Sequence, residues 1–109
     1  MTIKIETFFG TFDCKLSVNK YTNNGNTAIQ IFSKNEEFDF WEPFAMLTVN
    51  LDKKLDEGYA YLDINSFREA EAFVIKNNLG EFAEDYGFSG FCVYPLFKLN
   101  MEEIQKYAE

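Results

Sequence analysis

From Pro43 to Leu51 the chain reads Pro-Phe-Ala-Met-Leu-Thr-Val-Asn-Leu, and a period of two runs through the whole stretch. Ala45, Leu47, Val49 and Leu51 fall on one side of an extended chain, and Phe44, Met46, Thr48 and Asn50 on the other. Such alternation, rich in β-branched and aromatic residues, is the pattern of a strand. One face is wholly apolar and the other grades from apolar to polar, so the stretch is expected to lie centrally in an antiparallel sheet. Burying Leu47, Val49 and Leu51 would contribute roughly 5–9 kcal/mol, at about 1.5–3 kcal/mol each.

The same period recurs along the chain. Ile3, Ile5, Thr7 and Phe9 alternate with Lys4, Glu6 and Phe8. After Gly10, Phe12, Cys14, Leu16 and Val18 alternate with Asp13, Lys15 and Ser17, which predicts a hairpin turning at Gly10. Tyr21 to Asn26 holds an Asn24-Gly25 pair, which supplies the positive φ a tight turn needs. Thr27–Ser33 reads as a third strand and Tyr59–Ile64 as a short fifth. Lys34 to Glu42 breaks the alternation and reads as an acidic loop studded with Phe38, Phe40 and Trp41.

Ser66-Phe67-Arg68-Glu69 fits a capping box, and Phe67, Ala70, Phe73 and Val74 then share one face, predicting a helix over Ser66–Asn77. Glu81 to Gly87 is ambiguous between a helical turn and a loop. Phe88 to Phe97 reads as a last aromatic strand, at an edge or interrupted at Pro95, because proline removes a ladder donor. Asn100 as N-cap with Glu103 at the third position opens a short C-terminal helix. The expected fold is therefore α+β: an antiparallel sheet of five or six strands, one helix packed on a face and a short C-terminal helix.

With 109 residues, 47% of them hydrophobic, a single domain over residues 1–109 with a packed core is the expectation. Thirteen phenylalanines are a heavy load, so some rings must be partly exposed or sit at an interface. Apolar runs are short, so no membrane span is expected. The first residues lack the apolar stretch of a signal peptide, so a cytoplasmic location is the expectation.

The net charge is -8, and it is uneven. Residues 1–33 carry three lysines against Glu6 and Asp13; the remainder is strongly acidic. Direct nucleic-acid binding is disfavoured, since that affinity rests on phosphate neutralisation. A basic partner suits the charge better, although acidity also serves plain solubility.

Few residues suggest catalysis. Without histidine the usual general base and triads are missing. The glycines are isolated, so no phosphate loop is built. Glu36, Glu37 and Asp39 lack the spacing of a calcium loop. Asp63 with Glu69, and Glu84 with Asp85, read as solvated acidic surface. Cys14 and Cys92 cannot form a zinc site alone and read as reduced, buried small hydrophobes. No catalytic residue, metal or cofactor is expected.

Several segments together carry a resemblance: Phe8-Phe9-Gly10 with Phe12, Thr27-Ala28-Ile29-Gln30, Glu42-Pro43-Phe44-Ala45, Thr48-Val49-Asn50-Leu51, and Ser89-Gly90-Phe91-Cys92 with Tyr94-Pro95. The chain resembles a small family of domains of unknown function from mobile elements and phages of Firmicutes, and is similar to type II anti-CRISPR proteins. That resemblance implies a non-enzymatic inhibitor acting in the bacterial host cell, which binds a type II CRISPR effector nuclease and hinders guide RNA or target DNA loading. Such an effector is strongly basic, because its channel holds nucleic acid. The residues expected to meet it are Glu36, Glu37, Asp39, Trp41 and Glu42, with Glu81, Glu84 and Asp85 as a second patch. The alternative is an accessory domain of a mobile element, homodimeric through an aromatic edge strand at Gly90–Phe97.

Overall fold

A computed structural model describes residues 1–35 and 37–108. Among them the chain forms eight strands and two short helices. Strands β1 (Ile3–Thr7), β2 (Gly10–Lys20), β3 (Thr27–Asn35) and β4 (Phe40–Met46) make one antiparallel sheet in the order β1-β2-β3-β4. Strands β5 (Thr48–Val49), β6 (Tyr59–Leu62), β7 (Gly80–Ser89) and β8 (Cys92–Leu99) make a second, in the order β5-β6-β8-β7. Helix α1 (Ala70–Lys76) lies between β6 and β7 in the chain, and α2 (Met101–Gln105) follows β8. The protein is thus mostly β with two four-stranded sheets, and the expectation of one larger sheet carrying a helix on its face is overturned.

The reason lies in the stretch from Pro43 to Leu51. It does not run as one central strand. It breaks at Leu47, whose N–H donates to the Ile29 carbonyl in the first sheet (2.9 Å) and whose carbonyl accepts from the Asp63 N–H just past β6 (2.9 Å). Leu47 therefore satisfies its backbone in both directions at once, and the chain passes from β4, the edge of one sheet, to β5, the edge of the other. A register shift between Ile31 and Phe32 in the β3–β4 pairing precedes the crossing. Leu47 is fully buried, while Val49 and Leu51 are half-buried, so the apolar gain concentrates on Leu47.

Alternation does sort the first sheet correctly. Ile3, Ile5, Cys14, Leu16, Ile29 and Ile31 face inward and are buried. They pack against Leu47, Ala60, Leu62, Phe97 and Leu99 of the second sheet, with Phe67, Ala70, Phe73 and Val74 around α1 and Ile104 of α2 completing one core. Cys14 is buried as expected, whereas Cys92 is half-buried near a turn; both are free thiols.

Other expectations shift locally. The first hairpin turns at Phe8-Phe9, with Thr7 opposite Gly10, so Gly10 opens β2. Thr7 locks that turn: its hydroxyl donates to the Gly10 carbonyl (3.0 Å) and accepts from the Phe9 N–H (3.1 Å). Trp41 and Glu42 lie on β4, not in a loop. The capping box does not form: Asp63 accepts from the Ser66 N–H (3.2 Å), and the helix starts only at Ala70. Glu81–Gly87 belongs to β7. Phe88–Phe97 is no single strand; β7 ends at Ser89 and the chain turns through Gly90 and Phe91 into β8. Strand β8 pairs with β7 on one side and with β6 over Leu96–Lys98 on the other, so it is an inner strand of its sheet, and only Cys92–Pro95 lie beyond the β6 pairing. Pro95 is tolerated there because it stands where the β6 pairing has already ended, at Leu96, and just past a bulge in β7. The Asn100 cap is present, its side chain accepting from the Glu103 N–H at 3.2 Å. No described helix is long and apolar enough to cross a membrane.

Candidate partner-binding site

The two acidic patches sit on different sheets, and among the described residues no hydrogen bond or ion pair joins them. The first surrounds the β3–β4 turn. The Asn35 side chain accepts from the N–H groups of Glu37 (3.1 Å) and Phe38 (3.2 Å), which shapes the turn, and Asp39 follows with φ 55°. Lys34 pairs with Asp39 at 2.8 Å. The hydrogen bond from Lys34, with its charge, holds the Asp39 carboxyl below the usual range. Trp41 lies between lysines as well: the Lys15 ammonium is 4.9 Å and the Lys34 ammonium 5.4 Å from its ring centre. Glu42 is half-buried opposite Ser33. Glu36 lies outside the described residues. This patch is therefore mixed in charge, with its aromatic anchor already engaged by cations.

A groove of about 400 Å³ runs beside Trp41, lined by Lys15, Val18, Phe32 and Gln105 among others. It brings no carboxylate or thiol against a base. Among the described residues no group of three Cys, Asp or Glu side chains is placed to hold a metal ion.

The second patch is different. Strand β7 is the edge of its sheet, with one backbone side unpaired. Glu81 stands opposite Lys98, and the pairing then slips between Phe82 and Tyr86. Glu84 sits in that slip with φ 57°, and Asp85 accepts from the Tyr86 N–H at 2.8 Å. Neither Glu81 nor Glu84 has an ion-pair partner among the described residues, and all three acids are exposed.

Aromatic residues line the same hairpin. Phe82 is opposite Phe97, Tyr86 opposite Pro95 and Phe88 opposite Val93. Since Phe97 and Pro95 are buried, this row is the core-facing side of the hairpin. Phe82 is anchored by Phe97, ring centres 6.0 Å apart, and touches Tyr86 at 5.3 Å. Beyond the core, Tyr86, Phe88 and Val93 emerge into solvent, and Phe91 is fully exposed at the turn. Gly87 allows this geometry. A Cβ there would lie 2.5 Å from Leu51 and 2.7 Å from the Tyr61 ring, so the strand presses against both.

The sequence marks Glu81, Glu84 and Asp85 as one patch and the aromatics of Gly90–Phe97 as a separate edge, without joining the two. The signal available was the density of Phe and Tyr around an acidic segment. What it lacked was exposure, which depends on where the core ends.

Fold and surface together define a small two-sheet β domain that presents an acidic, aromatic edge hairpin. The chain belongs to the family described as Domain of unknown function (DUF4313), the match covering residues 15–109. It begins within β2, so β1 and the Phe8-Phe9 turn precede the matched region. No curated protein and no solved structure matches the chain.

Proposed function

We propose that this domain is a non-enzymatic protein-binding module whose β7–β8 hairpin docks on a basic surface of a partner. The observation that carries the reading is the hairpin itself: exposed Tyr86, Phe88, Phe91 and Val93 beside exposed Glu81, Glu84 and Asp85. Aromatic side chains supply the burial that makes binding hot spots, and the carboxylates supply steering and orientation. The net charge of -8 favours encounter with a cationic protein.

The particular partner comes from the sequence resemblance, not from the geometry. It is a type II CRISPR effector nuclease, with the domain acting as an inhibitor from a mobile element or phage. The hairpin would occupy surface that otherwise takes guide RNA or target DNA.

The test is cleavage of target DNA by a type II effector, with the protein added before or after guide RNA. Loss of cleavage is expected, and a combined Glu81→Lys, Glu84→Lys, Asp85→Lys variant should restore it, as should Phe88→Ser. Inhibition that survives both variants would remove the hairpin from the mechanism. No loss of cleavage and no co-elution across several effectors would remove the effector.

A further inference from the structure

A second aromatic surface lies elsewhere. In a sheet ordered β1-β2-β3-β4 with every pair antiparallel, the β1–β2 and β3–β4 turns fall at the same end. Ile3, Cys14, Ser33 and Glu42 form one row across the four strands; beyond it β1–β2 pairs for four more rows, to Thr7–Gly10, and β3–β4 for two, to Asn35–Phe40. The turns are two strand spacings apart, roughly 10 Å. This end carries Phe8, Phe9, Phe38 and Phe40, exposed by 92, 89, 67 and 46%. Phe8 meets Phe9 edge-on at 5.5 Å and Phe38 meets Phe40 at 6.3 Å. None of the four belongs to the core. Phe8 and Phe9 fill a two-residue turn where small polar residues are the rule, and the Thr7 hydroxyl bonds across that turn to Gly10 and Phe9.

We infer that this end is a self-association face, closing a two-fold dimer with a second copy of the chain. Two observations choose that occupant. The first is area. A fully exposed phenylalanine presents on the order of 200 Å², so the four rings offer roughly 600 Å² per copy, as large as the biggest apolar patch of an ordinary monomer. Burial in both copies would remove about 1,200 Å², the lower bound for a specific interface before flanking residues are counted. The second is charge. The molecule is acidic, yet three carboxylates at this end are paired, Asp13 with Lys4, Asp39 with Lys34 and Glu6 with Lys76, while Glu37 beside Phe38 has no ion pair among the described residues. Two copies of a chain with net charge -8 repel least where their acids are already paired. The acid-only edge of β7 has no such relief. Two-fold closure also places the same patch on both sides, which a self-complementary apolar face allows.

The inference is independent of the hairpin reading and has the opposite salt dependence. Screening weakens binding to a cationic partner and strengthens association of like-charged copies.

Sedimentation and light scattering of the full chain over a concentration series give the test. A mass of twice 12.7 kDa is expected, with association tightening as salt rises. A Phe8→Ser, Phe9→Ser variant and a Phe38→Ser, Phe40→Ser variant should each be monomeric at concentrations where the parent is dimeric. Their thermal midpoints, extrapolated to low concentration, should match the parent, since the rings are outside the core. Phe88→Ser should leave the dimer intact. A parent that stays monomeric throughout, a dimer that survives both double variants, or a dimer dissolved by Phe88→Ser would overturn the inference. Flotation of a monomeric parent with neutral phosphatidylcholine vesicles, lost in Phe8→Ser, Phe9→Ser, would reassign the face to a lipid surface.

Discussion

The side-chain amide of Asn26 donates to the side-chain oxygen of Asn50 across 3.2 Å, joining the β2–β3 turn to the segment that leaves β5. Asn26 is only 6% exposed. Its amide also donates to the Lys53 carbonyl (2.8 Å), and its side-chain oxygen accepts from the Leu55 N–H (2.9 Å). Asn24 donates to the same Asn50 oxygen (3.2 Å), and Asn50 donates to Asn23 (2.9 Å). Beside them the Thr48 hydroxyl oxygen accepts from the Ile29 N–H (3.1 Å) and lies 3.2 Å from the Tyr21 hydroxyl. A network of asparagines thus clasps the two sheets where the chain crosses between them.

Asn26→Ala should therefore lower stability by about 2–3 kcal/mol, at about 1 kcal/mol for each hydrogen bond lost and more for the Leu55 N–H left without a partner. Asn23→Ala, at the exposed end of the network, should lose less than about 1 kcal/mol. Urea unfolding midpoints at unchanged slope would read both. Equal losses would mean that the clasp is not centred on Asn26.

Leu47→Ala should cost about 3–5 kcal/mol, the range for a buried leucine whose cavity cannot collapse. Its backbone is held by both sheets, which limits relaxation. Val49→Ala, half-buried on β5, should cost under about half as much. Similar values for the two would argue that Pro43–Leu51 behaves as one uniform strand.

Gly87→Ala should destabilise by about 1–3 kcal/mol through overpacking against Leu51 and the Tyr61 ring. Leu51→Ala opens part of that space. The double variant should therefore lose less than the sum of the single losses in a double-mutant cycle. Simple additivity would show that the contact at Gly87 is relieved by backbone movement instead.

The Cys14 thiol is pushed up to about 11, first by burial and then by the neighbouring Asp13 carboxylate. It should resist alkylation at pH 8, while half-buried Cys92 reacts. The sign for stability follows from the neutral thiol being favoured in the folded chain. The contribution is full below the unfolded value, near 9, and is lost as pH rises through 11. Cys14→Ala should flatten that alkaline decline, and an unchanged slope would assign it to other groups.

Much of the fold is legible along the chain. Strict alternation marked the inward residues of the first sheet from Ile3 to Ile31, because one buried face imposes period two whatever the partner strand is. Asn100 with Glu103 marked a helix start, since a cap needs only four consecutive residues. Asn24-Gly25 marked a turn for the same local reason, and Gly25 indeed has φ 75°. The acids of β7 were legible as charge.

Sheet membership was not legible. Pro43–Leu51 alternates without a break, yet Leu47 is handed from Ile29 to Asp63, and only those distant backbone groups decide where one sheet ends. Glu81–Gly87 is too acidic to read as a strand; β8 makes it one by pairing. Ser66 and Glu69 spell a capping box that Asp63 pre-empts. Exposure follows the same logic. Phe73 and Phe97 are buried while Phe9 and Phe91 stand in water, with the same side chain. Residue type and period are properties of the chain by itself. Which strands pair, where the core stops and which aromatic rings are left for a partner depend on contacts between residues far apart in sequence.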